Sequence, residues 1–171
     1  MRRITPALAC VIALLFSAGA ARAQDGFTHE ADEFTFELPS QTWRPVPRSD
    51  TAHTHTEFIY GDRLDGYLRV RKSMLESGES LSQMARREQD TKLRFVAGFV
   101  GGKEERFAGR LNGIVVGYEY TNAGKAMAGR IYYLQADNRT VYALHFTGLG
   151  EKLARIQNQT DSIARSFKLK Q

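Results

Sequence analysis

The stretch Gly129-Arg130-Ile131-Tyr132-Tyr133-Leu134-Gln135-Ala136-Asp137-Asn138-Arg139-Thr140-Val141-Tyr142-Ala143-Leu144-His145-Phe146-Thr147 decides the fold class. Aromatic and β-branched residues fill both arms, the composition of buried strands. Between the arms, Asp137-Asn138 is a two-residue turn signal, because both residue types tolerate positive φ. The stretch therefore predicts a hairpin of strands at 127–136 and 139–147. Just upstream, a strand at 111–121 and a short one near 104–108 extend it into an antiparallel meander.

Further toward the N-terminus, Phe34, Phe36 and Leu38 alternate with Thr35 and Glu37, the period of a half-buried strand. Pro39, Pro45 and Pro47 argue against a regular element over 39–50, and the only tryptophan, Trp43, is expected to plug the edge of the core. A strand at 53–60, a turn at 61–66 and a strand at 67–73 come next, the last with Leu68 and Val70 inward and Arg69 and Arg71 outward. The period then changes. Leu81, Met84, Ala85, Glu88, Lys92, Phe95 and Val96 fall at helical spacing behind Ser80-Leu81-Ser82-Gln83, a capping-box pattern. They predict an amphipathic helix over about 80–96, its outer face bearing Arg86, Arg87, Lys92 and Arg94, ended by Gly98, Gly101 and Gly102. Leu153, Ile156, Thr160, Ile163 and Phe167 mark a closing helix over about 150–166. Two helices beside a mainly antiparallel sheet make an α+β domain.

Several phrases resemble the PsbP-like superfamily, named for an extrinsic subunit of photosystem II and including bacterial DcrB-like envelope proteins and a nuclear import cofactor. They are Phe34-Thr35-Phe36-Glu37-Leu38-Pro39-Ser40 leading to Trp43, the pairing of Gly129–Leu134 with Val141–Thr147, and a last helix ending in Ser166-Phe167. The resemblance implies an α/β/α sandwich around a central antiparallel sheet, one PsbP-like domain over 34–171, and a role in binding or assembling other proteins. It carries no shared catalytic site.

At the start of the chain, Arg2 and Arg3 precede an apolar run from Ile4 to Phe16, and Ala21-Arg22-Ala23 completes it as a small-x-small cleavage site. Residues 1–23 read as a secretory signal peptide and 24–33 as a flexible leader, which gives a periplasmic or secreted protein with no transmembrane segment after signal removal. The only cysteine, Cys10, leaves with the signal, so the exported chain has no disulfide or reactive thiol. Arg2, Arg3 and Arg22 leave as well. The remainder keeps 21 of the 24 basic residues against 19 acidic ones, a net +2, so bulk charge gives no argument for nucleic acid. Its distribution is uneven: residues 24–60 hold seven acids and two bases, and 61–171 hold twelve acids and nineteen bases.

Candidate sites are few. His53, His55 and Glu57 alternate in a strand pattern that places them on one face, about 7 Å apart at successive positions, a donor set for zinc or copper. His29 and His145 stand alone. Gly98-Phe99-Val100-Gly101-Gly102-Lys103 has the look of a phosphate loop but comes after a helix instead of opening one, and reads as a flexible connector. Its Phe99 and Val100, together with Arg86 and Arg87 on the helix, are the candidate partner-binding residues. Tyr118, Tyr120, Tyr132, Tyr133 and Tyr142, interleaved with Arg130 and Arg139, read as cross-strand packing and not as a nucleic-acid platform. Gly-x-Ser-x-Gly and His-Glu-x-x-His motifs are absent, and Glu104-Glu105 point to opposite faces of a strand. The chain is thus expected to be an exported, non-enzymatic binding or assembly protein of the cell envelope with a protein partner and no cofactor. The alternative is a periplasmic metal or small-ligand binding protein using His53, His55 and Glu57.

Overall fold

The computed structural model describes residues 26–28, 33–47 and 56–170. Seven strands form one antiparallel sheet: β3 (Trp43–Pro45), β4 (Thr56–Tyr60), β5 (Asp62–Met74), β6 (Val100–Phe107), β7 (Gly113–Asn122), β8 (Lys125–Gln135) and β9 (Thr140–Leu149). Their spatial order is β3-β4-β5-β9-β8-β7-β6, so β3 and β6 are its edges. A second, three-stranded sheet joins β1 (Gly26–Thr28), β2 (Phe34–Glu37) and β10 (Lys168–Leu169). The alternation at 34–38 correctly marks a strand, but this strand belongs to the small sheet.

Each face of the large sheet carries its own core. On one face, α2 (Gly150–Arg155), α3 (Gln157–Ser166) and β2 cover Phe58, Leu68, Tyr132, Leu134, Leu144 and Phe146, with Phe34, Phe36 and Phe167 stacked among them. On the other, α1 (Leu81–Glu88) lays Met84 and Ala85 over Ile114, Val116, Tyr133, Val141 and Ala143. Each large side chain removed from water this way contributes roughly 1.5–3 kcal/mol. Helices on both faces of an antiparallel sheet make the expected α/β/α sandwich of α+β class.

The β8–β9 hairpin forms where expected, by a different device. Asp137 Oδ1 accepts the backbone N–H of Arg139 and of Thr140, each at 2.8 Å, closing a longer turn without positive φ. The two-residue geometry instead occurs at Ala123-Gly124, with φ of 48° and 76° between β7 and β8. Trp43–Pro45 pairs with Phe58–Tyr60, so the proline-rich stretch does contain a strand; Pro45 is tolerated because β3 is an edge. Trp43 is buried, as expected, and donates its indole N–H to Gln159 at 3.0 Å.

Both helices are shorter than their periodicity suggests. The capping box is present: Gln83 N–H donates to Ser80 Oγ, and Ser80 N–H donates to Gln83 Oε1. After Glu88 the helix widens into one π-helical turn, Gln89–Leu93. The wider turn rotates the residues beyond it, leaving Phe95 79% exposed although its spacing assigns it to the buried face. The closing helix breaks at Ile156, whose side chain is drawn into the core beside Gly66.

Candidate functional site

Edge strand β6 and the flank of α1 form one surface. Ser82 Oγ on the helix donates to Glu104 on the strand at 2.6 Å, and Gln89 Oε1 lies 3.8 Å from where a Gly101 Cβ would stand. Ser82, Arg86 and Gln89 have the i, i+4, i+7 spacing of one helix flank, so Arg86 is exposed on the side next to the strand. Arg87 points elsewhere. Its guanidinium donates to Glu79 at 2.7 and 2.9 Å and lies 3.5 Å from Glu76. The expected pair of partner-binding arginines is therefore divided: Arg86 borders the edge, and Arg87 staples the loop ahead of the helix.

Residues 98–103 are not a free connector. Val100 and Gly101 pair with Glu119 and Tyr118, and the register then slips by one residue before Glu104 meets Val116. The backbone approach at this bulge requires glycine at 102, because a Cβ there would lie 2.6 Å from the Gly117 carbonyl oxygen. Phe99 is half-buried, its ring 5.8 Å from that of Tyr118, so it belongs to packing more than to free surface. Val100 is 61% exposed.

Val100 also lines a cleft of about 450 Å³ on the opposite face of the sheet. Gly102 and Gly117 leave its floor bare, α2 supplies Leu153 and Ala154 as one wall, and Glu119, Arg130 and Gln157 are its polar groups. Arg130 is fixed. Its Nε donates to Tyr132 Oη at 2.7 Å and its terminal nitrogen reaches Asp161 at 3.3 Å, while Tyr132 also bonds Asp161 and Thr160. Burial pushes the Tyr132 phenol well above its ordinary range, and its hydrogen bond to Asp161 adds to the effect, so it stays protonated as a donor. Arg130 is legible in sequence only as one of the residues between tyrosines, since neither its partner in α3 nor the bare floor is local.

Among the metal candidates, His53 and His55 lie outside the described residues. Glu57 is described, and its two oxygens face Arg63 at 3.5 Å and Arg69 at 3.6 Å. Among the described residues no group of three His, Cys, Asp or Glu side chains is placed to hold a metal. His145 sits on the α1 face with Nε2 2.6 Å from Tyr118 Oη. Burial, then the charges of Arg69 and Arg71, push its pKa down to about 4. It is the structural histidine its strand position suggests. The tyrosines divide between the two faces, Tyr118 and Tyr133 under α1 and Tyr132 and Tyr142 in the other core. Among the described residues no helix is long and apolar enough to cross a membrane.

No family model and no curated protein matches the chain. Solved structures do. The Ran-binding protein Mog1p of Saccharomyces cerevisiae superposes with a TM-score of 0.63 at 8% identity, over 86% of this chain and 95% of its own. Cyanobacterial PsbP from Synechocystis sp. PCC 6803 gives 0.58 at 13% identity, over 91% and 99%. LpqN of Mycobacterium tuberculosis, described as involved in cell envelope biogenesis, gives 0.54 at 15% identity, over 86% and 91%. At such identities the likeness concerns the arrangement of strands and helices, and by that arrangement the chain has the PsbP-like fold.

Proposed function

We propose that this chain is an exported, non-enzymatic binding domain that holds or helps assemble a protein of the cell envelope, and that it does so through the surface shared by α1 and β6. The observation that carries the reading is the joint of helix flank and sheet edge at Ser82–Glu104, which fixes exposed Arg86 against one side of the β6 edge, while exposed Val100 on the same strand borders the cleft on its other side. Arginine is among the residue types enriched at contact hot spots, and exposed Val100 adds apolar area at the same strand edge. Lys103, Glu105 and the bulge guard the edge against indiscriminate strand pairing, which favours a shaped contact over simple strand addition. The signal-like residues 1–23 and the described role of LpqN in envelope biogenesis support the compartment.

In-cell crosslinking of the tagged protein in its own envelope, followed by mass spectrometry, tests this reading. Val100→Asp and Arg86→Glu are expected to lose the crosslinked partner while keeping the wild-type melting temperature within a few degrees. Arg87→Glu is expected to keep the partner and lower stability. Retention of the partner by both surface variants would remove the α1–β6 contact.

A further inference from the structure

A second surface lies on the α1 face of the sheet, past the end of the helix. Strand β5 aims Tyr67, Arg69 and Arg71 to this face; β9 places Thr147 opposite Tyr67, His145 opposite Arg69 and Ala143 opposite Arg71. Arg63 and Arg69 both stand over the Tyr67 ring, at 4.7 and 5.8 Å from its centroid. Glu57 is the carboxylate facing both of them. One step along, Glu88 is shared by Arg71 and by Lys92, the latter at 2.8 Å. Among the described residues, four cations thus divide two carboxylates, a local surplus of two positive charges. The side chains of Arg63 and Arg69 remain 62% and 48% exposed.

Arg71 carries the buried side-chain polar atom that lacks a hydrogen-bond partner among the described residues. That atom is its Nε, although its terminal nitrogen engages Glu88. An orphaned guanidinium N–H is costly unless something accepts it, of the order of 1–3 kcal/mol for a buried donor. His145 does not relieve it, its Nε2 being engaged with Tyr118.

From this geometry we infer that Arg69 and Arg71, with Arg63 stacked on Tyr67, form a recognition site for an extended acidic protein segment carrying two carboxylates two residues apart. The spacing sets the ligand: Arg69 and Arg71, residues i and i+2 of β5, leave one face of the strand about 7 Å apart along it, and the alternate residues of an extended Glu-x-Glu or Asp-x-Asp segment have the same interval. Each carboxylate gains charge-assisted hydrogen bonds from a fork-shaped donor, and Tyr67 holds two of the forks in place. The site is separate from the α1–β6 surface, since its three arginines lie on β5, four strands from β6, and among the described residues meet α1 only at Glu88.

The test is ¹⁵N NMR of the arginine Nε–H groups in the purified protein, titrated with a short synthetic peptide centred on Glu-Thr-Glu and with the same peptide centred on Gln-Thr-Gln. The Glu peptide is expected to shift the Arg69 and Arg71 signals saturably, with affinity falling as salt rises, and the Gln peptide to leave them in place. Arg69→Gln is expected to weaken the Glu peptide at least tenfold without a large loss of melting temperature, its side chain being half exposed. Arg63→Gln is expected to weaken it less. Equal response to both peptides, or undiminished binding by Arg69→Gln, would overturn the inference. So would anionic phosphatidylglycerol vesicles or inorganic phosphate moving the same signals while the Glu peptide does not, since the site would then read phosphate and not protein carboxylates.

Discussion

Tyr118 on β7 passes over Gly129 on β8 and meets His145 on β9, phenol oxygen to Nε2 at 2.6 Å. The crossing depends on the missing side chain between them: a Cβ on Gly129 would stand 2.1 Å from two carbons of the Tyr118 ring. Three strands are thereby tied on one face by an aromatic and an imidazole that nothing in their sequence spacing associates.

Gly129→Ala is accordingly expected to destabilise by about 1–3 kcal/mol through overpacking. Tyr118→Phe keeps the ring and loses only the bond to His145, about 1 kcal/mol. Urea unfolding of the three proteins measures both. Relief of the Gly129→Ala penalty in a Gly129→Ala/Tyr118→Ala double variant would confirm that the clash is with this ring, and no relief would place the cost elsewhere.

Stability should fall on mild acidification because of His145. Its folded pKa, about 4, lies below the ordinary histidine value of 6.5, so between these pH values the unfolded chain binds a proton that the folded chain refuses. Stability is therefore present above about pH 6.5 and is lost as pH falls toward 4. The lowered carboxyl groups of Glu88, Glu33 and Glu79 begin to cost stability only below about 4.5, their ordinary value. His145→Gln should flatten the melting-temperature profile between about pH 6.5 and 5 and leave the steeper acid limb. An unchanged slope in that variant would assign the loss to other groups.

Glu88 is the buried charge on which α1 depends. Burial pushes its carboxyl up, but the Lys92 hydrogen bond and the Arg71 and Lys92 charges outweigh this and hold it below the usual carboxylate range. It also accepts the buried Tyr133 phenol at 3.1 Å. Glu88→Ala should cost about 2–4 kcal/mol by stranding Arg71 and Tyr133. Glu88→Gln should cost less, and chemical denaturation of the pair measures the charge separately from the shape.

Zinc is expected to compete poorly for Glu57, which already faces two guanidinia. Zinc titration followed by thermal melting should give little stabilisation in wild-type protein and a larger one in Arg63→Gln/Arg69→Gln, if His53 and His55 complete a site. Strong stabilisation of the wild type that disappears in His53→Ala/His55→Ala would support the metal reading instead.

By itself the sequence determined the long strands of the large sheet, the two helical segments and the α+β class, because these depend on local periodicity and caps: alternation in 127–147, the Ser80–Gln83 box, the 3.6-residue spacing of Leu153 to Ile163. It also marked Trp43 for the core and His145 for structure. Tertiary packing alone decided that Phe34 and Phe36 enter a second sheet, that Phe95 turns outward after a π-helical turn, and that Arg86 and Arg87 part company. The same holds for the cleft floored by Gly102 and Gly117 and for four cations gathered around two carboxylates from β4 and α1. Such arrangements join residues far apart in the chain, and their charges and voids exist only once strand register and helix placement are fixed, which no local pattern encodes.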